Sequence, residues 1–152
     1  MKVRRMQGGD ATVVAALSAQ LGYSVTPERI EERWSHMEGD KNNGLFVAEA
    51  AESHVVGWVH IYGVQLLESE PYAEIGGLVV DEGTRRCGVG RALMEAAEQW
   101  AQEQAFPAVR LRSGLPREEA HRFYKSIGYE HVKTSLLFCR HMNAVLDTNS
   151  QI

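Results

Sequence analysis

The residues best suited to chemistry sit in one stretch, Arg85-Arg86-Cys87-Gly88-Val89-Gly90-Arg91. It follows a run rich in Ile, Leu and Val at 72–80 and leads into an amphipathic segment at 88–104, so it reads as a loop between a strand and a helix. Gly88 and Gly90 carry no Cβ, which lets a ligand approach the backbone closely. The first N–H groups of a helix lack internal partners, and the helix dipole favours an anion there. Arg85, Arg86 and Arg91 add positive charge. The chemistry of such a segment is the binding of a phosphate or pyrophosphate. A P-loop would need Lys-Ser/Thr after the second glycine, and a dinucleotide fingerprint a third glycine; neither stands here. Taken alone, the loop also fits a glycine-loosened helix start with arginines on the surface, with Cys87 a tolerated small residue.

A second group lies upstream. Glu74 stands in Tyr72-Ala73-Glu74-Ile75, an apolar strand in which an acid needs a reason to be present. It reads either as a proton acceptor or as a solvated residue at a strand start. Gly76 and Gly77 follow, and glycines inside a strand mark a bulge or a close backbone approach. His60 and Tyr62 alternate with Val59 and Ile61, so the first pair faces a cleft or solvent. The six histidines show no His-Glu-x-x-His spacing, and Cys87 and Cys139 form no Cys-x-x-Cys pair, so no metal is expected.

The elements that must position these residues follow from periodicity and caps. A short strand at 3–6 opens the chain. Asp10 is expected to cap a helix with Val13, Val14, Leu17 and Leu21 on its apolar side, ended by Gly22. Thr26-Pro27-Glu28 starts a second helix, with a capping hydroxyl, a first-turn proline and an acid at the positive dipole end. Strands are expected at 45–50, 55–62 and 72–80, then the long helix, a strand at 108–113, a helix at 116–127 closed by Gly128, and strand again at 129–140. Hairpins early and a strand–helix–strand crossover late predict an α/β domain with a mixed sheet and helices on both faces. One domain is expected over 1–140, with a polar tail at 141–152.

Composition sets the outer bounds. The chain has 152 residues, 44% hydrophobic and 24% charged, which is enough for one domain with a full core. Sixteen Lys and Arg against 20 Asp and Glu give a net charge of -4, which speaks against a nucleic-acid binder. No apolar run approaches a membrane span, and no apolar stretch follows the basic N-terminus, so a cytoplasmic protein without a membrane partner is expected.

The loop and its surroundings resemble motif A of the GNAT superfamily, the acetyl-CoA-dependent N-acetyltransferases. The signature Arg/Gln-x-x-Gly-x-Gly/Ala after a hydrophobic strand is matched by Arg85, Gly88 and Gly90. Glu119-Ala-His-Arg-Phe-Tyr-Lys-Ser-Ile-Gly-Tyr129 resembles motif B, with its helical Phe-Tyr and closing glycine and aromatic. The element order agrees over residues 1 to about 140. The resemblance implies a mostly antiparallel central sheet, splayed in the middle, with helices on both faces. It implies acetyl-CoA as co-substrate, its pyrophosphate on the backbone of residues 85–91 and its pantetheine along Leu78 and Val80. A backbone N–H near Val79 would polarise the thioester carbonyl. Glu74 would be the general base, and Tyr124, on the motif B helix, would hydrogen-bond the departing sulfur. Phe123, its neighbour, reads as core.

The acceptor implied is a small-molecule or peptide amine. Tyr23, between the first two helices where the family builds its acceptor wall, joins His60 and Tyr62 as a pocket candidate. A homodimer is common in the family. Where many members carry an asparagine after the strand at 108–113, this chain has Ser113 and Gly114. The alternative to an enzyme is a non-catalytic acyl-CoA-binding sensor or interaction module on the same fold.

Overall fold

The computed structural model describes residues 1–142. Its contacts divide the chain into two units, Met1–Arg112 and Ser113–Ile152. Among the described residues no helix is long and apolar enough to cross a membrane.

The first unit holds five strands and three α-helices, with short 3-10 turns between them. They run β1 (Lys2–Arg5), α1 (Ala11–Ala19), α2 (Pro27–Met37), β2 (Asn43–Glu49), β3 (Val55–Leu66), β4 (Ser69–Val80), α3 (Val89–Glu103) and β5 (Val109–Leu111). The sheet order is β1-β2-β3-β4-β5. Neighbours are antiparallel except β4 and β5, which are parallel because α3 carries the chain back across the sheet. β3 and β4 form a long hairpin reaching past the expected strand ends, with Leu66 paired to Ser69 across the turn.

Helices cover both faces of the sheet. On one face Val14 and Leu17 of α1 pack with Val47, Val55 and Val79, and Ile30 of α2 and Trp58 border that cluster. On the other face α3 lies across the middle strands. A Cβ on Gly57 would meet the Leu93 side chain at 2.9 Å, and one on Gly44 would meet Trp100 at 3.1 Å. Gly57 and Trp58 are adjacent and therefore point to opposite faces. The helix caps divide. Thr26 does cap α2, its hydroxyl accepting from the Arg29 N–H at 3.2 Å. Asp10 does not cap α1. Its carboxylate is taken by the two terminal nitrogens of the Arg4 guanidinium at 2.8 and 2.9 Å and by the Gln7 N–H at 2.8 Å. Arg4 also reaches Glu49 at 2.7 Å, so one guanidinium ties β1 to β2 and to the start of α1.

The register of β4 carries the main irregularity. Gly77 pairs with His60 but Ile75 pairs with Ile61, so Gly76 is an extra residue. Cβ atoms at Gly76 and Gly77 would both meet rings of the α1 side: His60 and Tyr62 for the first, Trp58 for the second. Two successive residues thus face one side, and every residue before the bulge changes face. Val79 packs on the α1 side, whereas Ile75 pairs with Ile61, which faces α3 beside Gly44. Glu74, opposite Tyr62, is thereby turned to the α1 side.

The second unit contains α4 (Glu118–Ser126). Gly128, at φ 102°, closes it, and the Tyr129 N–H returns to the Tyr124 carbonyl at 3.0 Å. The strand expected at 129–140 does not form. The segment has no regular secondary structure, and Leu136, Leu137 and Phe138 lie exposed. It has no ladder to satisfy its backbone groups, and a strand exists only within one. The polar tail lies, from residue 143 onward, outside the described residues.

Gly57 tests the α3 side of the sheet. Its Cβ would sit 2.9 Å from the backbone oxygen of Val79 as well as from Leu93. Backbone cannot swing aside as a side chain can, so Gly57→Ala should destabilise the fold by about 1–3 kcal/mol in denaturant unfolding. An unchanged midpoint would mean that β3 and β4 separate freely at this point.

Candidate functional site

The end of β4 and the start of α3 form one continuous backbone surface. β5 pairs with β4 only at Ala73, Glu74 and Ile75. Within the first unit, from Gly76 to Val80 the edge of β4 away from β3 has no strand beside it. The Asp81 N–H bonds to the Val56 carbonyl at 2.8 Å, and the Val79 carbonyl lies against Gly57. Asp81 and Val79 therefore turn their polar groups to β3. By the two-residue period of a strand, Leu78 and Val80 turn theirs to the open edge. The outward donors next to Val79 thus belong to Leu78 and Val80, and not to Val79 itself.

The loop that follows is built by short-range bonds. The Thr84 N–H and hydroxyl both reach the Asp81 carbonyl, at 3.0 and 3.1 Å, and the Cys87 N–H reaches the Thr84 carbonyl at 3.3 Å. Gln20, just past α1, pins the turn by donating to Asp81 and accepting from the Glu82 N–H. Arg86 takes φ 67° and Gly88 φ 82°, the left-handed region that favours glycine. Gly88 stands at the N-cap of α3, and the first intrahelical bond runs from the Ala92 N–H to its carbonyl at 3.0 Å. The N–H groups of Val89, Gly90 and Arg91 precede that bond and have no helical acceptor. Arg85, Arg86, Cys87, Gly88 and Arg91 are exposed, and the space beside Gly88 is open to 4 Å. Loop and open edge together fit an elongated ligand that ends in phosphates, bound by backbone donors along its length.

The α1-side face of β3 and β4 gathers the polar candidates. Trp58, His60 and Tyr62 form a stripe of rings along β3, with His60 and Tyr62 5.5 Å apart between centroids. The Tyr62 hydroxyl donates to Glu74 Oε2 at 2.7 Å, and Arg112 Nε lies 3.6 Å from Glu74 Oε1. Burial and the neighbouring carboxylate push the Tyr62 phenol up to about 12, so it stays a donor at neutral pH. His60 Nε2 bonds to Asn43 Oδ1 at 2.8 Å, and Asn43 Nδ2 donates to Asp40 Oδ2 at 3.2 Å. Burial holds the His60 imidazole below its ordinary 6.5.

Glu74, His60 and Tyr62 thus come together. Tyr23, beyond α1, is exposed and makes no hydrogen bond or ring contact with them. Arg112, Asn43 and Asp40 carry no motif and were invisible in the sequence; Trp58 shares the alternation of His60 and Tyr62. In the second unit Tyr124 lies on α4 between Phe123 and Tyr129, at 5.3 and 6.2 Å between ring centroids. Burial raises its phenol above the ordinary value, with Arg117 opposing. Among the described residues no group of three His, Cys, Asp or Glu is placed to hold a metal.

A family model described as the acetyltransferase (GNAT) family matches residues 12–129. The aminoglycoside N(6')-acetyltransferase type 1 of Stenotrophomonas maltophilia is 28% identical over 131 residues, 82% of this chain and 85% of that protein. A putative acetyltransferase structure from Agrobacterium tumefaciens superposes with a TM-score of 0.80 at 24% identity, over 92% of this chain and all of that one. The structure of AAC(6')-Iy in complex with a bisubstrate analogue, CoA-S-monomethyl-acetylneamine, gives a TM-score of 0.80 at 15% identity, over 92% and 97% of the two chains.

The bond between Tyr62 and Glu74 has its own signature. Removing the carboxylate in Glu74→Gln should move the Tyr62 titration to lower pH than about 12, since the acceptor and its charge both hold the proton on. Phenolate absorbance, with Tyr62→Phe as the subtraction control, reads the shift. A Tyr62 transition that does not move would break the pair apart.

Proposed function

The chain belongs to the acetyltransferase (GNAT) family, and from that premise we propose that it transfers the acetyl group of acetyl-CoA to a primary amine by direct attack in a ternary complex. One observation carries this reading: the open edge of β4, with the outward groups of Leu78 and Val80, leads through the loop at 81–88 to the N–H groups at the start of α3 that have no helical acceptor. Pantetheine amides along the edge and the pyrophosphate at the loop match that sequence of donors. Leu78 and Val80 would bind like a strand, and the backbone of Arg86 to Arg91 would hold the phosphates, with Arg85, Arg86 and Arg91 adding charge. An outward N–H next to Val79 would stabilise the oxyanion.

The acceptor side is the face that bears Glu74, His60 and Tyr62, with Tyr23 a candidate for its outer wall. An alkylammonium has a pKa near 10.4, so freeing it at pH 7 costs about 4.6 kcal/mol in water. Glu74 takes that proton, directly or through water. By the resemblance of its helix to motif B, Tyr124 is the candidate donor to the leaving sulfur, and burial raises its phenol above the ordinary value. The likeness to an aminoglycoside acetyltransferase supports a small-molecule amine as the acceptor class. The reaction needs no metal and belongs in the cytoplasm, where a homodimer is a further arrangement to examine.

Two measurements test the assignment. Calorimetry should show acetyl-CoA binding to the wild-type protein, and a thiol assay should show CoA release with an amine from a panel of aminoglycosides, polyamines and amino acids. Binding without release for every amine would favour the non-catalytic acyl-CoA module. Gly88→Val places a branched side chain at φ 82° against the phosphates; it should abolish acetyl-CoA binding in a protein that still folds. Unchanged affinity would remove the loop from the site. Glu74→Gln should lower turnover near neutral pH by about 100- to 10,000-fold, with partial rescue on raising the pH, because more acceptor is then already neutral. Without rescue, and with weakened acceptor binding, Glu74 would be an ammonium anchor instead.

A further inference from the structure

Amide formation from an ammonium removes two protons from the same nitrogen. The first must leave before attack. The second leaves the adduct, in which nitrogen has bonded to the carbonyl carbon and bears a positive charge. A carboxylate that has taken the first proton is neutral and cannot take the second until it discharges. Glu74 is further engaged, with Tyr62 on one oxygen and Arg112 beside the other. The face that carries it holds one more basic atom.

That atom is Nδ1 of His60. Asn43 Nδ2 donates to Asp40, which leaves Asn43 Oδ1 as the acceptor for His60 Nε2. Nε2 therefore carries the ring proton, and Nδ1 keeps its lone pair. No group among the described residues hydrogen-bonds Nδ1. It lies beside Gly76, where a Cβ would come within 3.1 Å of it. Gly76 is exposed, is the bulge residue, and stands where the pairing of β4 with β5 has ended. The free lone pair thus borders the start of the open edge. The groups around the ring are Tyr62 on β3, Asn43 and Asp40 at β2, and Glu74 with Arg112 across β4 and β5. Burial is what lowers the imidazole below its ordinary 6.5.

We propose that His60, held in its Nε2–H tautomer by Asn43 and Asp40, is the second base of the reaction and accepts the adduct proton on Nδ1. This rests on the acetyl-transfer reading above. The amine nitrogen forms its bond to the carbonyl carbon as the C=O pair moves to oxygen. One N–H proton passes to Nδ1, and the imidazolium keeps donating through Nε2 to Asn43. The oxygen pair then re-forms the carbonyl, and the C–S bond breaks with its electrons going to sulfur. His60 finally loses its proton to solvent.

Three measurements on the full chain decide the matter. Nitrogen chemical shifts of His60 in the wild-type protein, free of ligands, should show the Nε2–H tautomer and a titration below 6.5. An Nδ1–H tautomer, or a midpoint above that value, overturns the proposal whatever the activity. In steady-state thiol release with the best amine of the panel, His60→Gln should lower kcat about 100-fold or more, and raising the pH to about 9 should not rescue it, unlike Glu74→Gln. The adduct proton has to leave whatever the protonation of the free amine. A loss in kcat of under about threefold, or a rescue equal to that of Glu74→Gln, rejects the role. Asn43→Asp keeps the imidazole and sets a carboxylate against Nε2, which favours the imidazolium. The acid limb of kcat should then move to higher pH; a limb that stays in place rejects the role even if His60→Gln does not fold. Absence of both acetyl-CoA binding and thiol release would sink the acetyl-transfer reading, a result distinct from any of these.

Discussion

The bulge at Gly76 is the constraint on which the site depends. A regular strand alternates its side chains, so an acid five residues before Val79 would face α3 if Val79 faces α1. One extra residue reverses that parity and brings Glu74 to the face of His60 and Tyr62. It also divides β4 in two. Just before the bulge, at Ala73 to Ile75, the strand pairs on both sides. After it, within the first unit, the strand pairs on one side only. The bulge is in turn possible because residues 76 and 77 lack side chains, since rings of β3 already fill the space that their Cβ atoms would need.

The two candidate regions are built on different physics. The loop and strand edge present main-chain groups whose direction is set by the helix and the ladder. The α1-side face presents side chains instead. Burial is the first cause that raises the Tyr62 phenol and lowers the His60 imidazole. Glu74, bonded to that phenol, is half-buried. One face thus gathers a phenol, an acid and an imidazole, with His60 and Tyr62 along β3 and Glu74 across from Tyr62.

Much of this was legible in the residues. The glycine loop, the strand before it and the helix after it are local patterns, and local patterns survive folding. Thr26 capped α2 as expected, because an N-cap needs only its own turn. Asp10 is likewise a favoured N-cap residue at a helix start but was drawn away by Arg4, a residue on a different element. No window around Asp10 contains that competition. The glycine pair announced a bulge or close approach, yet which face Glu74 would take depended on register with β3. Asn43 and Asp40 could not be singled out, since their importance lies in bonding to His60 across strands. The segment at 129–140 shows the opposite failure: it reads as strand, but a strand needs a neighbour to pair with, and no local window supplies one.

The open edge of β4 also bears on how the protein avoids itself. Unpaired strand edges invite pairing with other chains, and a long flat one is an aggregation hazard. This edge runs only from Gly76 to Val80, begins at a bulge that twists it, and stops at the charged Asp81. A second polypeptide would find too short and too bent a template to build a ladder on. A narrow, flexible chain with few amides would find enough. The geometry that would admit such a ligand is therefore also poorly suited to a foreign strand, because the edge is short and begins at a bulge.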